Sequence, residues 1–104
     1  MLIVTTDSVE GRRVAEYLGV VSGDAIVGAN FIRDFFANIR DVIGGRAGGY
    51  EKALRGAKEG AIEDMIADAQ DMGANAVIGV DLDYEAVGES MLMVSANGTA
   101  VRLE

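Results

Sequence analysis

The sequence predicts a small α+β domain, a largely antiparallel sheet with two helices on one side, in the order β-β-α-α-β-β. Three observations support this fold class. β-branched residues are frequent in the first 28 residues, which favours strands. Apolar residues then recur at helical spacing through residues 30–72, and strand-like alternation returns after Gly73. Without proline or a linker, residues 1–104 make one domain.

The N-terminal part predicts two strands, a short one over residues 2–4 and a long one over residues 14–28. Glycine inside a strand is typical of a bulge or a bend. We therefore expect the long strand to be irregular at Gly19 and at Gly23.

The next two segments have the helical period. The first predicted helix covers residues 30–43, with Asn30 as its N-cap and Gly44 at its end. The second covers residues 49–72 and ends at Gly73. Its predicted inward residues are Leu54, Ala57, Ala61, Ile62, Met65, Ala69 and Met72.

Gly56 and Gly60 lie inside the second predicted helix. Each costs about 1 kcal/mol relative to alanine in a helix interior. Two explanations stay open, a tolerated weakness or the close approach of a neighbouring backbone.

Two further strands, residues 76–87 and 90–104, are predicted to be joined by a turn at Gly88 and Glu89. A sheet this small leaves an outer face and edges that need a cover. We expect a partner subunit to supply it. The hydrophobic content of 50% in a chain of 104 residues also favours burial against copies of the same chain.

Composition excludes several function classes. With no cysteine and no histidine, thiolate chemistry, zinc ribbons and the usual general base near neutral pH are missing, so we do not expect an enzyme. The net charge of −8 argues against nucleic acid and anionic membranes as partners. No signal peptide or membrane span is evident, which predicts a cytoplasmic location.

Charge is divided unevenly along the chain. Six of the nine basic residues lie within residues 33–58, whereas residues 59–89 hold nine acidic residues and no basic one. Two solvated faces would explain this division. The alternative is a head-to-tail contact in which the basic half of one subunit meets the acidic half of the next.

The segment VDLDYE places Asp81, Asp83 and Glu85 two residues apart, so a strand projects all three to one face. Three carboxylates suit a hard divalent cation such as Mg²⁺, Ca²⁺ or Mn²⁺. The alternative is an ordinary polar strand face, paired with Arg33 or Arg40. Met91 and Met93 share a face of the last strand, where core packing is more typical than Cu(I) binding.

The segment GGRAGGYEKALR, residues 44–55, has the composition of a phosphate-binding loop. It follows a predicted helix, however, and lacks both the Gly-Lys-Ser/Thr ending and the Gly-x-Gly-x-x-Gly pattern. We interpret it as a hinge between helices. A small-molecule site between subunits is a further alternative, in which tyrosines stack and arginines hold an anion. The candidate anion or interface residues are Arg33, Arg40, Arg46 and Tyr50.

The stretches EYLGVVSGDAIVGAN, RDFFANIRDVIGGRAGGYEKAL, GANAVIGVDLDYE and SMLMVSANGTAV together resemble the YbjQ-like family of small bacterial and archaeal proteins, labelled "putative heavy-metal-binding". The resemblance implies a dodecin-like subunit assembled as a homopentamer, with no established activity. We therefore expect a non-enzymatic, homo-oligomeric binding or assembly protein whose ligand is unknown. The alternatives are a divalent metal ion at Asp81, Asp83 and Glu85, or an anion between subunits.

Overall fold

The computed structural model describes residues 1–28, 48–88 and 91–104. Their elements are strand β1 (Leu2–Ile3), strand β2 (Val14–Val27), helix α1 (Gly48–Asp71), strand β3 (Ala76–Val87) and strand β4 (Met91–Leu103). The second predicted helix and all four predicted strands are therefore confirmed to within a residue or two. The first predicted helix, residues 30–43, lies outside the described residues.

The four strands form one mixed sheet in the order β1-β3-β4-β2. β4 lies antiparallel to both β2 and β3, whereas β1 runs parallel to β3. The largely antiparallel sheet of the prediction thus includes a parallel pairing that the sequence did not indicate. A two-residue strand has no periodicity from which its direction could be inferred.

Helix α1 covers one face of the sheet with small apolar side chains. Ala61, Met65 and Ala69 recur every four residues and are fully buried. They pack against buried residues of β2, β3 and β4, namely Val21, Val77, Val80, Val94, Ala96 and Ala100. Met72, predicted to point inward, is instead 41% exposed, because the helix ends one residue before it.

The end of α1 is fixed by backbone hydrogen bonds. The Gly73 amide donates to the Gln70 carbonyl and the Ala74 amide donates to the Ala69 carbonyl. This is the Schellman arrangement, which requires a left-handed residue after the helix. Gly73 supplies it with a φ of 84°, so the predicted helix stop is confirmed.

Gly23 marks the place where α1 lies closest to the sheet. A Cβ atom at this position would lie 2.1 Å from the Ala61 carbonyl oxygen and 2.4 Å from the Met65 amide nitrogen. The close backbone approach considered for Gly56 and Gly60 is therefore found on the strand instead. Among the described residues, nothing comes within 4 Å of a Cβ built at Gly56, and Gly60 has room for one.

The bulges differ in part from the prediction. The β2–β4 register shifts between Tyr17 and Gly19, as expected, but Gly23 pairs regularly with Ala96. A further shift interrupts the β3–β4 pairing between Ile78 and Asp81. It contains Gly79, whose φ is 61°. The sequence analysis did not anticipate this bulge.

A second, smaller core lies on the sheet face opposite α1. Its buried residues are Ala76, Ile78, Val101 and Leu103, and they are covered by Val4, Val9 and Val14. Asn75 fastens this end of the sheet, since its side-chain amide donates to the Leu103 carbonyl at 2.9 Å and its side-chain oxygen accepts the Leu103 amide at 2.7 Å. The N-terminal segment therefore covers only one end of this face.

Helix α1 lacks the continuous apolar length needed to cross a bilayer, and the described parts of the chain include no other helix that would have it.

Candidate functional site

The carboxylates of Asp81, Asp83 and Glu85 lie on the sheet face opposite α1. Val80 and Leu82, which alternate with them, contribute to the core beneath the helix, whereas all three acidic residues are exposed. The alternation predicted for VDLDYE is thus confirmed. We call these three residues the acidic row. Tyr84, predicted on the opposite side of the strand from the row, is 49% exposed, because α1 lies mainly over β2 and β4.

Two members of the acidic row interact. A side-chain hydrogen bond with Asp81, together with the negative charge of Asp81, raises the pKa of Asp83 above its ordinary value of 3.8. Desolvation and the charge of Glu85 act in the same direction. The row therefore concentrates negative charge, because carboxylates two residues apart on a strand are only about 7 Å apart along it.

The cross-strand neighbours of the acidic row are uncharged. Asp81 pairs with Asn97, Asp83 with Ser95, and Glu85 with Met93. The Asn97 amide donates to the Ser95 hydroxyl at 3.2 Å. No basic side chain therefore neutralises the row from β4.

The structure does not bring the row together as a closed metal site. In the described ranges, no three carboxylates, histidines or cysteines lie close enough to hold one ion. The extended strand explains this result, since it separates the first and third members of the row by about 14 Å. A cation at this row would need ligands from water or from another subunit.

Within residues 33–58, the basic residues that the structure describes lie on α1. Lys52, Arg55 and Lys58 occur at intervals of three residues in its first half, and all three are exposed. We call them the basic stripe. Glu51 lies beside them in the first turn of the helix. From Glu59 onward α1 is acidic, with Glu59, Glu63, Asp64, Asp68 and Asp71.

Most of the predicted anion or interface residues lie beyond these elements. Arg33, Arg40 and Arg46 are outside the described residues. Tyr50 lies in the first turn of α1, but its side chain is not described. The predicted hinge GGRAGGYEKALR overlaps α1, which begins at Gly48, and its first four residues also fall outside the described part.

The same sheet face as the acidic row exposes apolar side chains. Val20 and Ile26 of β2 are 77% and 61% exposed, and Met91 of β4 is 40% exposed. Met91 was expected to contribute to core packing, but its end of the sheet has no cover among the described residues. We call the uncovered part the open face. Its apolar members are Val20, Ile26, Met91 and Met93.

A pocket of about 300 Å³ lies at the N-terminal end of α1. Its lining is small and apolar, formed by Ala25, Ile26, Val27, Gly28, Ala53 and Ala57. Neither Tyr17 nor Tyr84 borders it, and no charged side chain of the described residues does so. Its chemistry does not match the anion site considered from the sequence.

Sequence reasoning missed two residues that shape the site. Gly79 creates the bulge that sets which face the acidic row occupies, and Asn75 holds the strand end next to it. The signals present were Gly79 inside an apolar run and the Gly-Ala-Asn that follows the helix. Such residues are common in loops and strands, so neither signal showed which distant residue Gly79 or Asn75 would contact.

Known proteins match this chain over its full length. The YbjQ_1 family model, described as "Putative heavy-metal-binding", matches residues 1–104. The chain is 53% identical over 104 residues to a UPF0145 protein of Anoxybacillus flavithermus, covering 100% of this chain and 99% of that protein.

A solved structure gives a fold-level likeness. It is the crystal structure of a protein of unknown function of the DUF74 family from Pediococcus pentosaceus, with a TM-score of 0.65 and 16% identity. The match covers 100% of this chain and 98% of that chain. At this identity the likeness concerns the fold alone.

Proposed function

Since this chain belongs to the YbjQ-like family described as "Putative heavy-metal-binding", we propose that it is a non-enzymatic, homo-oligomeric assembly protein, a pentamer by resemblance. The observation that carries the proposal is the open face of the sheet. In the described parts of the chain, one layer of helix covers one side, whereas the other side is covered only at one end. An apolar sheet face is stable when it is buried against another layer.

The exposed apolar side chains give the open face a reason to be buried. Val20 and Ile26 leave most of their surface in water in the isolated chain. Burial of a side chain of this size contributes about 1.5–3 kcal/mol. Ile26 lies opposite Met93 of β4, and adjacent apolar side chains of this kind, at least partly exposed, are typical of protein interaction surfaces.

The dimensions of the chain also favour an assembly. Its radius of gyration is 16.9 Å, and it extends 54 × 25 × 16 Å. A compact domain of about 100 residues has a radius of gyration of about 13 Å. An elongated subunit with an open sheet face is better suited to an assembly than to an isolated monomer.

Sedimentation velocity at micromolar concentration tests this proposal. We expect a single oligomeric species, and native mass spectrometry should give its subunit number. Ile26→Lys should weaken the assembly by placing a charge on the open face, whereas the matched control Asp68→Lys, on the exposed side of α1, should leave it intact. A monomeric wild-type protein would contradict the proposal.

A divalent cation at the acidic row is the second candidate function. It is favoured by the position of three exposed carboxylates on one face of β3, with uncharged partners on β4. There the hydrogen bond with Asp81 and the charge of Asp81 raise the pKa of Asp83, and a cation would neutralise the row. Oxygen ligands suit Mg²⁺, Ca²⁺ or Mn²⁺ better than a soft heavy metal. The ligands that the row lacks would come from water or from a neighbouring subunit.

Titration calorimetry with Mg²⁺, Ca²⁺, Mn²⁺ and Zn²⁺ tests this candidate. The variant Asp81→Asn, Asp83→Asn, Glu85→Gln should lose the binding, and Asp24→Asn on β2, which β4 separates from the row, should retain it. If no cation binds the unmodified protein, the row is a polar strand face.

The anion or interface role of Arg33, Arg40, Arg46 and Tyr50 stays a prediction from the sequence, as does the cytoplasmic location. Native mass spectrometry of freshly purified protein tests the former directly. We expect a retained small anion if these residues form a site between subunits. Protein that carries no added mass would remove this alternative.

A further inference from the structure

We propose that copies of the chain associate head to tail, with the basic stripe of one copy seated over the acidic row of the next. This inference rests on the homo-oligomeric function proposed above and names the two surfaces that meet. The stripe comprises Lys52, Arg55 and Lys58, and the row comprises Asp81, Asp83 and Glu85. The occupant of the open face is thus the helix layer of a second copy.

The first argument is charge complementarity. The stripe carries three positive charges and the row three negative ones, and all six residues are exposed. Among the described residues, the ion pair that the structure records joins Arg102 to Glu16, which belong to neither set. Opposite charges on separate surfaces favour association with a partner that presents the complement.

The second argument is position. The stripe lies on α1, whereas the row lies on the opposite face of the sheet. A contact between them therefore joins two different surfaces, which makes it heterologous. Contacts of this kind form closed rings when the rotation between subunits is suitable. The same contact would also cover Val20 and Ile26 on the open face.

The third argument concerns the β3 edge. Residues 2–6 cover it as far as Val80, and the remainder of the strand has no neighbour on that side in the described parts of the chain. A two-fold pairing of β3 with β3 of a second copy would place the same sheet face of both copies on the same side. Acidic residues of one copy would then lie opposite acidic residues of the other. Like charges directly opposite each other destabilise a strand pair.

The β2 edge is also disfavoured for strand addition. The Asp24 amide donates to the Asp64 carboxylate of α1 at 3.3 Å. A new strand would have to displace this helix side chain to reach the amide. These contacts disfavour pairing at part of each edge, and among the described residues the open face is the apolar surface that a second copy could cover.

Charge reversal tests the contact. We expect Lys52→Glu, Arg55→Glu, Lys58→Glu to raise the dissociation constant of the oligomer by at least about tenfold, and Asp81→Lys, Asp83→Lys, Glu85→Lys to do the same. The variant that combines all six substitutions restores opposite charges at every contact and should assemble again. A mixture of the two triple variants should restore assembly less well. The two variants would have to alternate around the ring, and a ring with an odd number of subunits cannot alternate completely.

The readout is sedimentation velocity at several protein and salt concentrations, with circular dichroism to show that each variant is folded. Asp68→Lys, Asp71→Lys is the matched control on the second half of α1 and should assemble like the wild type. If a triple variant does not fold, Arg55→Glu, Asp83→Arg and their combination replace the set. Triple variants that assemble like the wild type, or a folded six-substitution variant that stays dissociated, would overturn the inference. A monomeric wild type would instead refute the proposed oligomer itself.

Discussion

The two faces of the sheet differ in how completely the described residues cover them. Beneath α1, Ala61, Met65 and Ala69 are fully buried, and the helix backbone comes so close to β2 that Gly23 has no space for a side chain. On the opposite face, the described residues of the N-terminal segment cover one end only, and Val20 is 77% exposed. One face is thus closely packed within a single chain, whereas the other is the face that we propose as an interface.

This difference shows where sequence changes should matter. The helix-covered face tolerates little change in volume, because its contacts are complete in one subunit. The open face should tolerate change in an isolated subunit and respond only when subunits associate. The predictions below test that contrast, from the largest effect to the smallest.

Gly23→Ala should have the largest effect. Its Cβ would lie 2.1 Å from a backbone oxygen of α1, so the helix has to move away from the sheet. We expect the free energy of unfolding to fall by at least about 3 kcal/mol. Urea denaturation measures this change.

Gly56→Ala is the matched control for Gly23→Ala. No described atom comes within 4 Å of its Cβ position, and alanine favours the helix by about 1 kcal/mol. The control should therefore be neutral or more stable than the wild type. A Gly23→Ala protein as stable as this control would show that α1 is less closely packed than described.

Met65→Ala should have the next largest effect. Met65 is among the largest fully buried side chains, and its truncation leaves a cavity beneath the helix. We expect a loss of about 3 kcal/mol, independent of protein concentration.

Val20→Ala on the open face is the comparison for Met65→Ala. We expect its cost to be below about 0.5 kcal/mol for the dissociated subunit and larger at concentrations where the oligomer forms. Thermal denaturation across a range of protein concentrations separates the two cases. A concentration-independent cost at Val20 would argue that the open face is not an interface.

Asp83→Asn should have the smallest effect, with a pH dependence of defined sign. The pKa of Asp83 is raised in the folded state, mainly by Asp81, so the folded state holds its proton more tightly than the unfolded state. Its contribution to stability is present below pH 3.8 and is lost as the pH rises through the raised pKa. At neutral pH and at concentrations where the subunit is dissociated, the variant should therefore unfold at a slightly higher temperature than the wild type.

The advantage of Asp83→Asn should shrink as the pH falls towards 3.8, and also in high salt. Asp24→Asn is the control, since Asp24 lies on β2 and β4 separates it from the acidic row. A pH-independent difference between wild type and Asp83→Asn would indicate a cause other than the charge of the acidic row.

The sequence was most informative where the pattern is local. The spacing of Ala57, Ala61, Met65 and Ala69 predicted the buried face of α1, and Gly73 predicted its end. The alternation in VDLDYE predicted that the three carboxylates share a face. These features depend on the helical and strand periods and on the backbone freedom of glycine, which act within a few residues.

The sequence was least informative about which distant segments meet. It did not indicate that β1 runs parallel to β3, or that the N-terminal segment covers one end of the outer face. It left open a close backbone approach at Gly56 and Gly60, whereas the glycine that has no space for a side chain is Gly23. Nothing local distinguishes these glycines, because the deciding atoms are more than 30 residues away in the chain.

By itself, then, the sequence determined the types and approximate ends of the described elements, the acidic row, and the concentration of basic residues within residues 33–58. Only the tertiary structure decided that the basic stripe and the acidic row lie on opposite sides of the same sheet, and that the described residues cover one side more completely than the other. The physical reason is that periodicity assigns a residue to a face of its own element. Which face is then buried depends on the packing of elements that are far apart in the chain.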